Sequence, residues 1–167
     1  QYGGAGATNT SAGAARNSGF AIVNYRGHGS SSSWIGWDRS GGSFGSTHIR
    51  SLDNVDERLA IFFNIACDNG AIQNSNTSMA ENLLFAAASE GAGGTAVLAA
   101  TMPSMTETNH KFNEYLFKAL QNEADISLGN VVALANNQLI RDNGGSLPSN
   151  VKMYLLLGDP RQTPWIK

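Results

Sequence analysis

Phe62-Phe63-Asn64-Ile65-Ala66-Cys67-Asp68-Asn69-Gly70 begins as an almost unbroken apolar run and stops at the only cysteine of the chain. A run of this kind, from Leu59 to Ala66, reads as a strand buried on both faces. Asp68-Asn69-Gly70 is a turn signal, so the thiol sits at the strand tip. Upstream, Asn24-Tyr25-Arg26-Gly27-His28-Gly29-Ser30 has the same shape. It follows the apolar Phe20-Ala21-Ile22-Val23, predicts a strand over Gly19 to Tyr25 buried on both faces, and delivers a histidine between two glycines. Two neighbouring parallel strands that each end in one reactive side chain would set a general base beside a thiol.

Working outward, Gln1 to Gly19 is rich in Gly, Ala, Ser and Asn. Residues 1–18 read as a flexible lead-in, with Thr10 or Ser11 capping a short helix to Asn17. Residues 19–167 read as the histidine- and cysteine-bearing part of a domain that an upstream segment on another chain would complete. Ser30 to Gly45 is a polar loop broken by Trp34, Ile35, Trp37 and Phe44, and a loop of that length beside His28 reads as functional. Thr77 or Ser78 caps a helix from Met79 to about Ser89, with Gly91 as its stop. Gly94 to Ala100 is a third strand. Thr106 opens a helix with Phe112, Tyr115, Leu116, Ala119 and Leu120 at helical spacing. Ser127 opens another, ending before Gly144-Gly145. Val151 to Leu157 is the last strand, stopped by Gly158-Asp159-Pro160. The alternation predicts an α/β layered sandwich, its sheet mostly parallel with helices on both faces. Ligands of such sheets sit at the carboxyl ends of the strands. His28, Cys67, Thr101 to Thr106 and Gly158 to Pro160 are all expected there.

The 167 residues are enough for one domain with its own core. Net charge is −2 and only 14% of residues are charged, so no basic field exists to hold a nucleic acid. Apolar runs such as Ala96 to Ala100 are too short to span a bilayer. No secretory signal is visible, and a start at Gln1 reads as a processed, excised or engineered fragment. One cysteine forms no internal disulfide and does not fix the compartment. Plentiful Gly, Ser, Asn and Thr suit an extracellular surface.

A lone cysteine in an apolar strand is ordinarily a small core residue, but a strand-tip thiol is partly exposed and a nearby histidine favours its thiolate. His28 in a glycine-flanked turn could be a solvated loop residue. Its glycines, however, allow close backbone approach to a ligand and leave the Gly29 N–H free to join the Cys67 N–H as an oxyanion hole. His48 is read as structural and His110 as lying on an exposed helix face. Three scattered histidines and one cysteine do not make a metal site. Gly91-Ala92-Gly93-Gly94 precedes a strand, so it is not a phosphate loop. Ser30 lacks a Gly-x-Ser-x-Gly elbow, which leaves a serine nucleophile a remote reading.

The chain resembles the C-terminal part of the catalytic domain of gingipain-type cysteine peptidases, which share a caspase-like fold. The resemblance rests on Asn24-Tyr25-x-Gly27-His28-Gly29-Ser30 followed by Trp34, then Phe44-Gly45-Ser46-Thr47-His48. It continues through Ala66-Cys67-x-Asn69-Gly70, Met79-Ala80-Glu81-Asn82-Leu83, Gly94-Thr95-Ala96-Val97 and Gly158-Asp159-Pro160. It implies Cys67 as nucleophile, His28 as base, and Gly29 and Cys67 N–H groups as the oxyanion hole. It implies no cofactor for the reaction, and allows a structural calcium whose ligands the sequence does not identify. Its protein or peptide substrate would meet Trp34, Thr101, Met102, Ser104 and Met105 as candidate pocket residues. Some gingipains carry a tryptophan over the pocket where this chain has Thr101-Met102-Pro103-Ser104-Met105, so basic-residue specificity does not carry over. The loop near Gly36 to Ser43 is longer than the family's. The resemblance also implies upstream strands with the acid that orients the histidine, supplied by an upstream fragment of the same precursor.

The function expected is therefore that of a cysteine endopeptidase, secreted or at the surface of a bacterium and activated by proteolytic cleavage, with Gln1 created by that cleavage. The alternative is a catalytically inactive caspase-like binding or assembly module.

Overall fold

The computed structural model describes residues 8–9, 14, 19–36, 42–54, 59–90, 92–122 and 125–164. The short helix expected from Thr10 or Ser11 to Asn17, Trp37, most of Gly36 to Ser43, and the stop at Gly91 lie largely outside them.

The elements in chain order are β1 (Ile22–Arg26), β2 (His28–Ser30), β3 (Ser33–Ile35), β4 (Ser43–Gly45), α1 (Ser46–Ile49), β5 (Ala60–Ile65) and α2 (Met79–Glu90). There follow β6 (Gly94–Ala100), α3 (Thr106–Asn122), α4 (Leu128–Asp142), α5 (Ser149–Met153) and β7 (Tyr154–Gly158). One sheet has the order β1-β5-β6-β7, and the other the order β2-β3-β4.

Every residue of β5 is buried, as its apolar run predicts for a central strand with both faces covered. Alternation along β5 and β6 then splits the core in two. Ile61, Phe63, Ile65, Leu98 and Ala100 face α3 and α4, packing on Phe112, Leu116, Leu128 and Val131. Phe62, Val97 and Ala99 face the other way, onto Met79, Leu83, Trp34 and Phe44. The result is an α/β/α sandwich whose α2 face also carries the small sheet.

Four expectations need correction. β1 is half-buried rather than buried on both faces, and Phe20 before it is 53% exposed, because among the described residues β1 is an edge strand with a neighbour on one side. Ser30 to Gly45 is not simply a loop, since within it three strands of three residues pair antiparallel. β7 runs antiparallel to β6. Three helices separate β6 from β7: α3 and α4 run out and back, and the short α5 leads the chain into the sheet from the end at which it left. In consequence Gly158 lies opposite Ala96, at the far end from Cys67. The Gly158-Asp159-Pro160 segment therefore does not border the strand tips that carry His28 and Cys67. Gly158 is held at φ 116 with Thr95 and Ala96 close against its Cα. Beyond it the carbonyls of Pro160 and Gln162 accept from the Gly129 and Leu128 N–H groups at 2.8 Å each, satisfying the first turn of α4.

Asn54 is buried and grips the approach to β6: its Nδ2 donates to the Gly93 carbonyl at 2.8 Å, and its Oδ1 accepts from the Gly93 N–H at 3.1 Å. Asn54→Ala strands the Gly93 N–H and leaves the Gly93 carbonyl only the Ala60 N–H at 3.4 Å, so it is expected to cost about 1–3 kcal/mol. Chemical denaturation checks this, and a loss under half a kcal/mol would contradict it.

Candidate active site

β1 and β5 lie parallel and in register, ending with Arg26 opposite Ile65. His28 and Cys67 each follow two positions later, so the sheet brings both to one edge. Past that edge the two segments meet at Gly29. A Cβ there would stand 2.5 Å from the Cys67 carbonyl oxygen and 2.9 Å from the Ala66 Cβ. Glycine is thus required by contact, not by an unusual φ. Gly29→Ala must push the Cys67 backbone aside. It is expected to cost about 1–3 kcal/mol in stability and about a hundredfold in any activity that uses Cys67. Thermal melting and kcat/KM check this, and unchanged values for both would contradict it.

The two arms are held by one helix. Ser78 and Glu81 form a reciprocal cap, with Ser78 N–H donating to the Glu81 carboxylate at 2.8 Å and Glu81 N–H to Ser78 Oγ at 3.3 Å. The next two N–H groups of α2 have no partner within the helix. Met79 N–H donates to the Ser31 carbonyl at 2.6 Å, beyond His28, and Ala80 N–H donates to the Asn69 carbonyl at 2.9 Å, beyond Cys67. Asn69, fully buried, completes the clamp by donating from Nδ2 to the carbonyls of Ser30 at 2.6 Å and Ser33 at 3.1 Å. In the sequence Asn69 reads as part of a turn and of the Ala66-Cys67-x-Asn69-Gly70 resemblance, and neither there nor at the α2 donors does the sequence assign the side chain or the N–H groups a role in holding the site. Asp68 takes φ 58 in that turn, a conformation that aspartate tolerates better than most residues. Desolvation pushes its carboxyl above the usual range.

His28 is exposed at the start of β2, and among the described residues its ring has no hydrogen-bond partner. Its backbone is buttressed, because Tyr25 Oη donates to the His28 carbonyl at 2.8 Å. Burial pushes the Tyr25 phenol up to about 12, so it remains a donor at neutral pH. The Tyr25 ring stacks on Trp34 at 4.3 Å, Trp34 on Phe44 at 5.1 Å, and Phe44 on His48 at 5.2 Å.

Cys67 is a free, partly exposed thiol. Of the candidate pocket residues, Met102 and Met105 stand out at 56% and 69% exposure. Ser104 touches the thiol directly, its N–H lying 3.4 Å from Cys67 Sγ. Trp34 and Thr101 are placed differently. Trp34 is 2% exposed, its faces taken by Tyr25 and Phe44. Thr101 Oγ1 is committed to the Met153 carbonyl at 3.0 Å. Of the other histidines, His48 accepts from the Gly45 N–H at 3.3 Å through Nδ1. Its Nε2 lies 3.0 Å from the Asn9 amide nitrogen. His110 is exposed on α3. Among the described residues no three His, Cys, Asp or Glu side chains gather into a metal site, and no helix is long and apolar enough to cross a membrane.

Similar proteins share this arrangement of elements. Gingipain R2 of Porphyromonas gingivalis is 28% identical over 149 residues, 86% of this chain and 19% of that protein. Gingipain R1 of the same species is also 28% identical, over 86% of this chain and 14% of its own length. Among solved structures, the complex of P. gingivalis RgpB pro- and mature domains superposes with a TM-score of 0.81 at 24% identity, over 95% of this chain and 37% of that one. The Arg-specific cysteine proteinase gingipain R (RgpB) gives 0.77 at 26% identity, over 96% and 37%. The α/β sandwich is thus the caspase-like fold of gingipain catalytic domains, and the chain spans less than a fifth of the length of the gingipains it matches. The family model of Peptidase family C25 matches residues 3–165, so the chain, taken nearly end to end, belongs to Peptidase family C25.

Proposed function

We propose that the chain carries the catalytic centre of a cysteine endopeptidase. The observation that carries this reading is the packing of Gly29 against Cys67 at the shared tip of β1 and β5. It gives a base and a thiol one edge, as family membership leads one to expect. His28 takes the thiol proton, and the Cys67 thiolate attacks the scissile carbonyl. The tetrahedral oxyanion collapses to a thioester while His28 returns the proton to the leaving amine. Water, deprotonated by His28, then cleaves the thioester and restores the thiol. Gly29 lies opposite Trp34, one pair beyond the Ser30–Ser33 pair that flanks the two-residue turn. Such a position is non-hydrogen-bonded, so its N–H points away from β3 and is available, with that of Cys67, to the oxyanion.

The substrate in this reading is a protein or peptide, entering past Met102 and Met105. The outer edge of β1, which pairs with nothing among the described residues, would receive an upstream segment of the precursor carrying the acid that orients His28 and contributes further strands. A neighbouring structure, a complex of pro- and mature domains, supports association between parts of one precursor. A secreted or cell-surface bacterial setting fits the bacterial relatives.

The test is labelling of the full-length protein with a peptidyl electrophile, followed by peptide mapping. Labelling at Cys67 much faster than of free cysteine is expected. A rate no greater than that of free cysteine would overturn the reading in favour of a binding or assembly module.

A further inference from the structure

We propose that Ser104 stabilises the Cys67 thiolate and that Asn109 holds it in place for that task. The inference rests on the reading of Cys67 as nucleophile and adds a group that touches the reacting atom. Three contacts join the residues. The Ser104 N–H donates to Cys67 Sγ at 3.4 Å, the Ser104 hydroxyl lies 3.8 Å from the same sulfur, and the thiol can donate to the Ser104 carbonyl at 3.5 Å. The carbonyl serves the resting thiol. Once the proton has left for His28, the N–H and the O–H are the groups that favour the anion, because hydrogen bonds to a charged acceptor are the strong ones.

The direction of the hydroxyl follows from a buried network. Asn109 Oδ1 accepts from Asn150 Nδ2 at 2.8 Å and from Tyr154 Oη at 2.9 Å. With its oxygen taken by two donors, the amide must present Nδ2 to Ser104 Oγ, which accepts at 2.7 Å. The serine oxygen is then an acceptor on the Asn109 side, and its hydrogen has two acceptors, the Tyr154 hydroxyl oxygen beside it and the Cys67 sulfur at 3.8 Å, of which the sulfur is the stronger once it carries the charge. Asn109, Asn150 and Tyr154 are 5%, 0% and 9% exposed, so the network is fixed by packing. A hydrophobic corner would not need three such polar groups, and their ordered end is the thiol.

The titratable groups facing this corner are few. Asp68 follows Cys67 in the turn, His28 comes from β2, and Tyr154 comes from β7. Tyr154 stays neutral because burial pushes its phenol well above the usual value. The first turns of α3, and α5, bring Glu107, His110, Lys111 and Lys152, all exposed, and Glu114, Tyr115 and Lys118 follow further along α3.

The test compares wild type, Ser104→Ala and Ser104→Thr in the full-length protein. It follows alkylation of Cys67 by iodoacetamide from pH 5 to 10, read by mass spectrometry of the Cys67 peptide. At pH 6, Ser104→Ala is expected to react about three- to tenfold more slowly, converging with wild type at pH 10 where the thiol is ionised regardless. Ser104→Thr, which keeps the hydroxyl, restores most of the rate. Equal rates for Ser104→Ala and wild type throughout would overturn the inference. So would a slowing that is the same at every pH, which would mark Ser104 as merely structural. Alkylation does not require turnover, so a pH-dependent Ser104 effect in a protein without peptidase activity would sink the proposed function and leave the thiolate contact standing.

Discussion

Cys67→Ala is expected to abolish peptide hydrolysis by the full-length protein while leaving its fold nearly unchanged. Cys67 is the only cysteine of the chain, and the hydroxyl of Ser104 beside it is held by the Asn109 amide at 2.7 Å. The fall in kcat/KM should be about ten-thousandfold or more, the scale seen when one member of a catalytic unit is removed. The stability change should stay within about 1 kcal/mol, because the side chain is small and partly exposed and its contacts to Ser104 run from 3.4 to 3.8 Å. Peptide hydrolysis and thermal melting measured together check both halves. Near-normal turnover in this variant would remove Cys67 from the mechanism.

His28→Ala is expected to be almost as damaging, with a loss of about a thousandfold or more. The imidazole is exposed and makes no hydrogen bond among the described residues, so its removal breaks no packing, and the loss should appear in kcat/KM without a matching fall in stability. The double variant His28→Ala/Cys67→Ala should be no worse than the worse single one, because base and nucleophile act as a unit. Losses that multiply would show that the two side chains do not share a mechanism. His48→Ala is the control. It removes the acceptor of the Gly45 N–H and a ring stacked on Phe44, so it should lower the melting temperature and spare the chemistry of the properly folded fraction.

The placement of His28 and Cys67 at one sheet edge was legible in the sequence because each stands where an apolar run meets a turn. β6 has the bounds that its apolar run predicts, and α2 and α4 start at the caps that the sequence offers, because Ser78 with Glu81 and Ser127 are local signals. What was not legible depends on partners distant in sequence. β2, β3 and β4 have three residues each, too few for alternation to show, and their serines resemble a loop. The run Val151 to Leu157 reads as one strand, yet its first residues belong to α5. The reversal of β7 also needs the α3–α4 hairpin to be counted as a single connection. Trp34 looks like a pocket residue until Tyr25 and Phe44 are seen on its two faces. The groups that hold the site, the Asn69 amide and two helix N–H donors, have no distinctive spacing because any residue supplies a backbone N–H.

The central claim is that the thiol of Cys67 becomes acylated during turnover with His28 as its base. The most direct measurement is the mass of the Cys67 peptide after acid quench of the full-length protein reacting with a slowly deacylating ester substrate. The account predicts an adduct of the acyl group on Cys67 in wild type, formed far more slowly in His28→Ala and absent in Cys67→Ala. Substrate turnover with Cys67 unmodified at every quench time, persisting in Cys67→Ala, would contradict it.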